Sequence, residues 1–291
     1  MLKWRLLLGV VFVAGLVGLC VADGMLAGTK WGPGVALCPL AVLVAWGAAE
    51  EVVKLCGAGG YKASRLVVVG GAVALVAASA KPWWGAAAVG VCPVVVAGLV
   101  VVLALGEAVL RYQPKGRSLE RAAWGVFGVA YVGGLMCFVV QLRFLGPAIA
   151  QVDYGMAALI SLIAVVKMGD TGAYTVGRLV GRHKMTPALS PGKTWEGAAG
   201  GLVFACLGAW VSLHFLAPGS EKTWGWLIYG VVVGIAGMLG DLAESMMKRD
   251  VGVKDSSPWM PGFGGILDLL DSILFAAPVA YLLWIAGVVG Y

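Results

Sequence analysis

Trp83-Trp-Gly-Ala-Ala-Ala-Val-Gly-Val-Cys92-Pro-Val-Val-Val-Ala-Gly-Leu-Val-Val-Val-Leu-Ala-Leu-Gly106 runs without a charged side chain until Glu107. As a helix, a run of this length has no water-facing stripe and matches the hydrocarbon thickness of a bilayer, which about 20 apolar residues cross. Similar runs recur along the chain, bounded by charges or by Pro and Gly. They predict nine spans, at 5–22, 33–49, 65–80, 83–109, 122–142, 155–177, 196–217, 223–247 and 266–290. The 291 residues are 60% hydrophobic and only 12% charged, and mean hydropathy is +0.92. This composition predicts an all-α polytopic integral membrane protein. Gly, at 45 of 291 residues, is about twice ordinary usage. Between membrane helices it allows close backbone approach, as in Gly197-Ala-Ala-Gly-Gly201.

Lys and Arg give the orientation. The N-terminus and the even-numbered connections hold sixteen of them, from Lys3 and Arg5 to Lys248, Arg249 and Lys254. The odd-numbered connections hold only Lys30, Lys81, Arg143 and Lys222, and Lys167 falls inside a span. That asymmetry places the N-terminus in the cytoplasm. It also accounts for the net charge of +6 without a nucleic-acid partner, since there is no basic soluble face with interleaved aromatics. Lys3 and Arg5 ahead of an apolar run imitate a signal peptide, but Leu19-Cys20-Val21-Ala22 makes a poor cleavage site, so the first span reads as a retained helix. The six cysteines stand singly in apolar runs and predict neither a disulfide framework nor a metal cluster.

The acids divide the chain. Residues 1–150 carry Asp23, Glu50, Glu51, Glu107 and Glu120 near span ends, and this part reads as scaffold helices. Residues 151–291 carry Asp170, Glu196, Asp241, Glu244, Asp268 and Asp271 within or at the ends of spans, so the catalytic region is expected there within one integral domain.

Asp268 and Asp271 stand at i and i+3 and share a helix face, as do Asp241, Glu244 and Lys248 at i, i+3 and i+7. Gly264 and Gly265 precede the first pair, where a helix N-terminus favours anions. Carboxylates beside Lys248, Arg249 and Lys254 describe a site for a divalent cation and a polyphosphate. Oxygen-only ligands suit Mg²⁺. Structural ion pairing is the plainer reading of any one couple, with Lys167 and Asp170 at i and i+3 the obvious case. A second cluster, Asp170-Thr-Gly-Ala-Tyr174 followed by Ser190-Pro-Gly-Lys-Thr194, reads as a basic, Gly-rich loop. It is no P-loop, because Pro187 stands where the first Gly belongs. Ser190, Lys193 and backbone N–H groups can still approach phosphate.

The ordered blocks Asp170-Thr-Gly-Ala-Tyr174, Ser190-Pro-Gly-Lys-Thr-Trp195, Gly240-Asp241-Leu-Ala-Glu244-Ser245 and the run from Ser245 through Lys248, Arg249, Lys254, Asp255, Pro261, Gly262, Gly264, Gly265, Asp268 and Asp271 resemble the phosphatidate cytidylyltransferases, or CDP-diacylglycerol synthases. The resemblance covers about residues 167 to 272. It departs from the usual pattern at Phe263, where the family has His, and at Leu269, where it has Arg. All the carboxylates remain, so these departures read as subfamily variation.

The resemblance implies transfer of a cytidylyl group from CTP to phosphatidate, with CDP-diacylglycerol and pyrophosphate as products. It implies Mg²⁺, and a possible second cation, held by Asp241, Asp268 and Asp271. Lys248, Arg249 and Lys254 join these carboxylates as catalytic residues, while Asp170, Ser190, Lys193, Glu244, Asp255, Gly264 and Gly265 bind substrate. The expected setting is a multi-pass protein of the cell (inner) membrane with its site facing the cytoplasm. The expected partners are CTP, phosphatidate and bilayer lipid, with a homodimer as the default assembly. The rival readings are a cytidylyltransferase for another lipid phosphate, an ion-coupled transporter and a catalytically weakened lipid-binding relative.

Overall fold

The computed structural model describes residues 2–80, 91–113, 116–146, 152–219, 224–257 and 264–289. Trp83, Trp84, Lys81, Lys115, Lys222 and Phe263, and the first part of the fourth expected span, lie outside them. The described residues form α1 (Leu2–Ala27), α2 (Leu37–Ala58), α3 (Leu66–Ala78), α4 (Val91–Leu110), α5 (Ser118–Leu142), α6 (Tyr154–Val180), β1 (Lys184–Thr186), β2 (Ser190–Thr194), α7 (Trp195–Leu216), α8 (Gly225–Asp250) and α9 (Ile266–Ile285).

Each expected span falls on one of these helices, and seven of them are long and apolar enough to cross a membrane. The other two are α2 and α3. Glu50, Glu51 and Lys54 charge the C-terminal half of α2, and α3 is five residues of π-helix followed by eight of α-helix, which falls short of a bilayer at about 1.5 Å per residue. The protein is a multi-pass membrane protein. Its outward faces carry large apolar side chains, among them Val13 and Val17 on α1 and Leu99, Val102 and Leu110 on α4, all more than half exposed. Exposure on that scale is stable only against lipid.

The chain divides into two compact units. The first comprises Met1–Val140 with Met247–Leu269, and the second Gln141–Met246 with Leu270–Tyr291. In the first, Val67, Leu75, Val100, Ala104, Val129 and Cys137 from α3, α4 and α5 form a buried cluster. Asp23 and Glu51 are not solvated at span ends, as their positions suggest, but buried. Asp23 accepts the N–H groups of Gly34, Ala36 and Leu37 at 2.9–3.3 Å and so caps α2 from α1. A buried carboxylate is tolerated because free helix N–H groups satisfy it.

In the second unit α6 and α7 pack closely along glycines. A Cβ on Gly172 would stand 2.5 Å from the Phe204 side chain and 2.8 Å from the Gly200 carbonyl, and one on Gly208 would meet the Ala164 carbonyl at 2.9 Å. Backbone cannot yield as a side chain can. Gly172→Val is therefore expected to destabilise by about 1–3 kcal/mol, read as a lower thermal midpoint in detergent. Gly98→Ala, with open space around it, should leave that midpoint unchanged or raise it. The β1–β2 hairpin joins α6 to α7 with Lys184 opposite Thr194 and Thr186 opposite Ser190.

Candidate active site

The sequence-predicted residues fall into two groups, one in each unit. In the second unit the hairpin delivers a lysine to an acid. Thr194 ends β2 and caps α7, its hydroxyl oxygen accepting the Gly197 N–H at 3.1 Å. Glu196, in the first turn of α7, accepts the backbone N–H groups of Arg182 and His183 at 3.1–3.3 Å and pairs with the His183 ring. The base of the hairpin is thus tied to α7, and Lys193 is held so that its Nζ lies 2.8 Å from Asp241 Oδ2.

Gly240 sets the depth of Asp241. A Cβ there would meet the Asp271 carbonyl at 2.6 Å and Phe275 Cβ at 2.6 Å, so only glycine admits this approach of α8 and α9. Asp241 in turn lies near enough for its charge to act on both Asp170 and Asp271. Asp170 pairs with Lys167 at 3.2 Å, as the i, i+3 spacing suggests. Three acids and two lysines therefore form one electrostatic cluster. Asp271 is buried, whereas Asp170, Lys193 and Asp241 remain partly accessible. Glu244 is fully buried one turn beyond Asp241, and Ser190 is half-buried in β2.

In the first unit, Lys248 Nζ donates to Asp268 Oδ1 at 2.5 Å, each side chain about one-tenth exposed. Asp268 Oδ2 accepts the Gly265 N–H at 2.7 Å, the Ser256 N–H at 3.0 Å and the Ser256 hydroxyl at 2.8 Å. Gly264 has a φ of +83°, and a Cβ on it would strike the Asp268 carboxylate, so the turn requires glycine twice over. Arg249 turns toward the carbonyl of Val253, while Lys254 and Asp255 are exposed and are not drawn into the Lys248–Asp268 group. The expected open N-terminus of α9 is occupied by the protein's own carboxylates. Asp268 takes the Gly265 N–H, and Glu51 takes those of Ile266 at 3.0 Å and Leu267 at 2.8 Å.

Glu51 and Ser256 are the residues sequence reasoning missed. The available signal was the pair Glu50-Glu51 at the end of an apolar run, because adjacent helix positions point about 100° apart and only one of the two can reach solvent freely. Glu50 does so, with Arg65, and Glu51 faces inward.

Among the described residues, no three or more His, Cys, Asp or Glu side chains close into a ready cage for a metal ion. Mg²⁺ does not need one, since it commonly takes one or two carboxylates and completes its shell with water and phosphate. Asp241 and Asp271 are carboxylates of that kind, and the donor chemistry fits.

The model of the cytidylyltransferase family matches residues 5–286. Curated relatives named phosphatidate cytidylyltransferase are similar over shorter stretches. That of Haemophilus influenzae is 43% identical over 128 residues, 43% of this chain and 44% of the relative. That of Staphylococcus haemolyticus is 41% identical over 169 residues, and that of Staphylococcus aureus 37% over 170, each covering 58% of this chain and 61% of the relative. The matched stretches thus span about half to three-fifths of these relatives' lengths.

Proposed function

This chain belongs to the cytidylyltransferase family, and on that premise we propose that it transfers the cytidylyl group of CTP to phosphatidate. A phosphate oxygen of the lipid attacks the α-phosphorus of CTP in line. The bond from that phosphorus to the bridging oxygen of the β-phosphate breaks, and pyrophosphate leaves with the electron pair. The lipid phosphate is already ionised at neutral pH, so no base is required. What the protein contributes is positioning and neutralisation of charge.

The observation that supports this reading is the Lys193–Asp241 pair, in which a phosphate-type loop brings its lysine to the acid of α8 at 2.8 Å. Lys193 would then exchange Asp241 for a phosphate oxygen. Asp241 and Asp271 would hold Mg²⁺, which when bound supplies charge neutralisation at the triphosphate. Within the first unit, by themselves, Lys248, Arg249 and Lys254 are cationic groups of the kind that take phosphate. Asp268 is engaged by Lys248 and by the Gly265 turn, and its part is to hold that basic group in place. The basic side faces the cytoplasm, where CTP is found, with the N-terminus on the same side. The cell (inner) membrane is the setting, and a closed homodimer is the assembly this reading carries.

The test is to incubate the full-length protein, purified in detergent, with Mg²⁺, labelled CTP and phosphatidate. The expected result is a labelled liponucleotide together with pyrophosphate, both lost on chelation. Absence of product with CTP binding also absent would overturn the reading. Product with a different lipid phosphate, but none with phosphatidate, would reassign the acceptor.

A further inference from the structure

We propose that Glu51, in the part of the chain that reads as scaffold, is a positioning residue that fixes the Gly264–Asp268 turn. The proposal rests on the function above only for what the turn serves. How the turn is held follows from geometry within the first unit.

The first N–H groups of any helix lack partners inside it. In α9, Gly265 stands at the N-cap and Asp268 three residues on, and the Asp268 carboxylate reaches back to the Gly265 N–H at 2.7 Å. That is the backward limb of a capping box. The forward limb needs a side chain at the N-cap, which Gly265 lacks. Glu51 stands in for that side chain from more than 200 residues earlier, satisfying the first two helical donors, the Ile266 N–H on Oε1 and the Leu267 N–H on Oε2.

Two further contacts show that the surroundings are built to this carboxylate. A Cβ on Gly265 would collide with Glu51 Oε2 and Ser256 Oγ, and one on Gly47, one turn before Glu51, would collide with Ile266 Cδ1. The glycines at 47 and 265 thus leave room for α2 and the start of α9 to meet at Glu51. Ser256 Oγ then lies 2.9 Å from Glu51 Oε2 and 2.8 Å from Asp268 Oδ2 and divides its single proton between them. Through this hydroxyl and the helix turn, Glu51 fixes the orientation of Asp268, and Asp268 that of Lys248. Glu51 itself is buried, 4% exposed, and its carboxylate is occupied by the Ser256 hydroxyl and the Ile266 and Leu267 N–H groups.

The test compares wild type with Glu51→Gln and Ser256→Ala, all full-length in detergent, by amide hydrogen exchange over residues 264–269 and by steady-state kinetics per folded protein. Gln keeps the size and one acceptor, while Ser256→Ala removes only the shared hydroxyl and remains informative if the Gln variant folds poorly. The expected result is exchange at Ile266 and Leu267 about tenfold faster or more in Glu51→Gln, with α6 unchanged. In both variants kcat should fall, by about 10- to 100-fold in Glu51→Gln, with KM for phosphatidate within about twofold of wild type. Unchanged exchange at 265–267 in both variants would overturn the proposal, and so would wild-type kcat per folded molecule, since a merely structural cap alters yield but not turnover. If the wild type itself forms no liponucleotide, the proposed function falls, and exchange alone decides the placement of the turn by Glu51.

Discussion

Asp241→Asn is expected to lower kcat for liponucleotide formation by about 10²- to 10³-fold while leaving the thermal midpoint close to that of wild type. The side chain is 39% exposed, and Asn matches its shape against the close contact at Gly240, so little packing changes. The loss is one of charge. Asp241 is the partner of Lys193 and the acid whose field reaches both Asp170 and Asp271. Removing it would take an oxygen ligand from the Mg²⁺ that the proposed function places there, and it leaves Lys193 without the partner at 2.8 Å. Fixed charges aimed at a developing transition state are worth about 2.7–4 kcal/mol each when single groups are deleted, which is the stated range. Lys193→Met should act differently, raising KM for CTP as well as lowering kcat. Steady-state kinetics at saturating Mg²⁺ separate the two. An Asp241→Asn protein with undiminished turnover would remove this acid from the site.

The second large effect concerns stability. Asp268→Asn leaves the Lys248 ammonium, 12% exposed, facing a neutral amide. Breaking a buried pair by removing one partner costs about 3–5 kcal/mol, and the single amide oxygen can serve either Lys248 or the Gly265 and Ser256 donors that Asp268 Oδ2 now satisfies, not both. The thermal midpoint in detergent should fall by about 10 °C. Lys248→Met with Asp268→Asn removes both charges while the amide oxygen can still accept the Gly265 and Ser256 donors, and should recover part of the midpoint but none of the activity. If the double variant is no more stable than Asp268→Asn, the ion pair is not the source of the loss.

What the sequence revealed and what it concealed follow from the range of the interactions. The helices were legible because apolar length is a local property. So was Lys167 with Asp170, because helical spacing brings the two together without help from the rest of the chain, whereas the same spacing at Asp268 and Asp271 left unseen that Asp268 engages Lys248 and the Gly265 turn. The β1–β2 hairpin was not legible. Ser190-Pro-Gly-Lys-Thr194 has the composition of a loop, and its pairing depends on Glu196 holding the N–H groups of Arg182 and His183 at its base. Glu51 was hidden for a stronger reason. Its partners lie more than 200 residues away, and an acid at the end of an apolar run ordinarily signals solvent. In α3, the close packing of Gly71 against Val129 and Val100 is a non-local contact that an apolar run does not announce.

The first compact unit also has a consequence for how the protein is made. Its last segment, Met247–Leu269, is separated from Val140 by the whole of Gln141–Met246. At about 5–20 residues per second, a ribosome needs roughly 6 to 26 s to pass from residue 140 to residue 269. For that interval the nascent α2 carries a carboxylate at Glu51 whose helical partners have not yet been translated. The cluster of α3, α4 and α5 can pack in that interval, since all its residues precede Val140, but the Glu51 end of α2 reaches its final contacts only after Ile266 and Leu267 have been made.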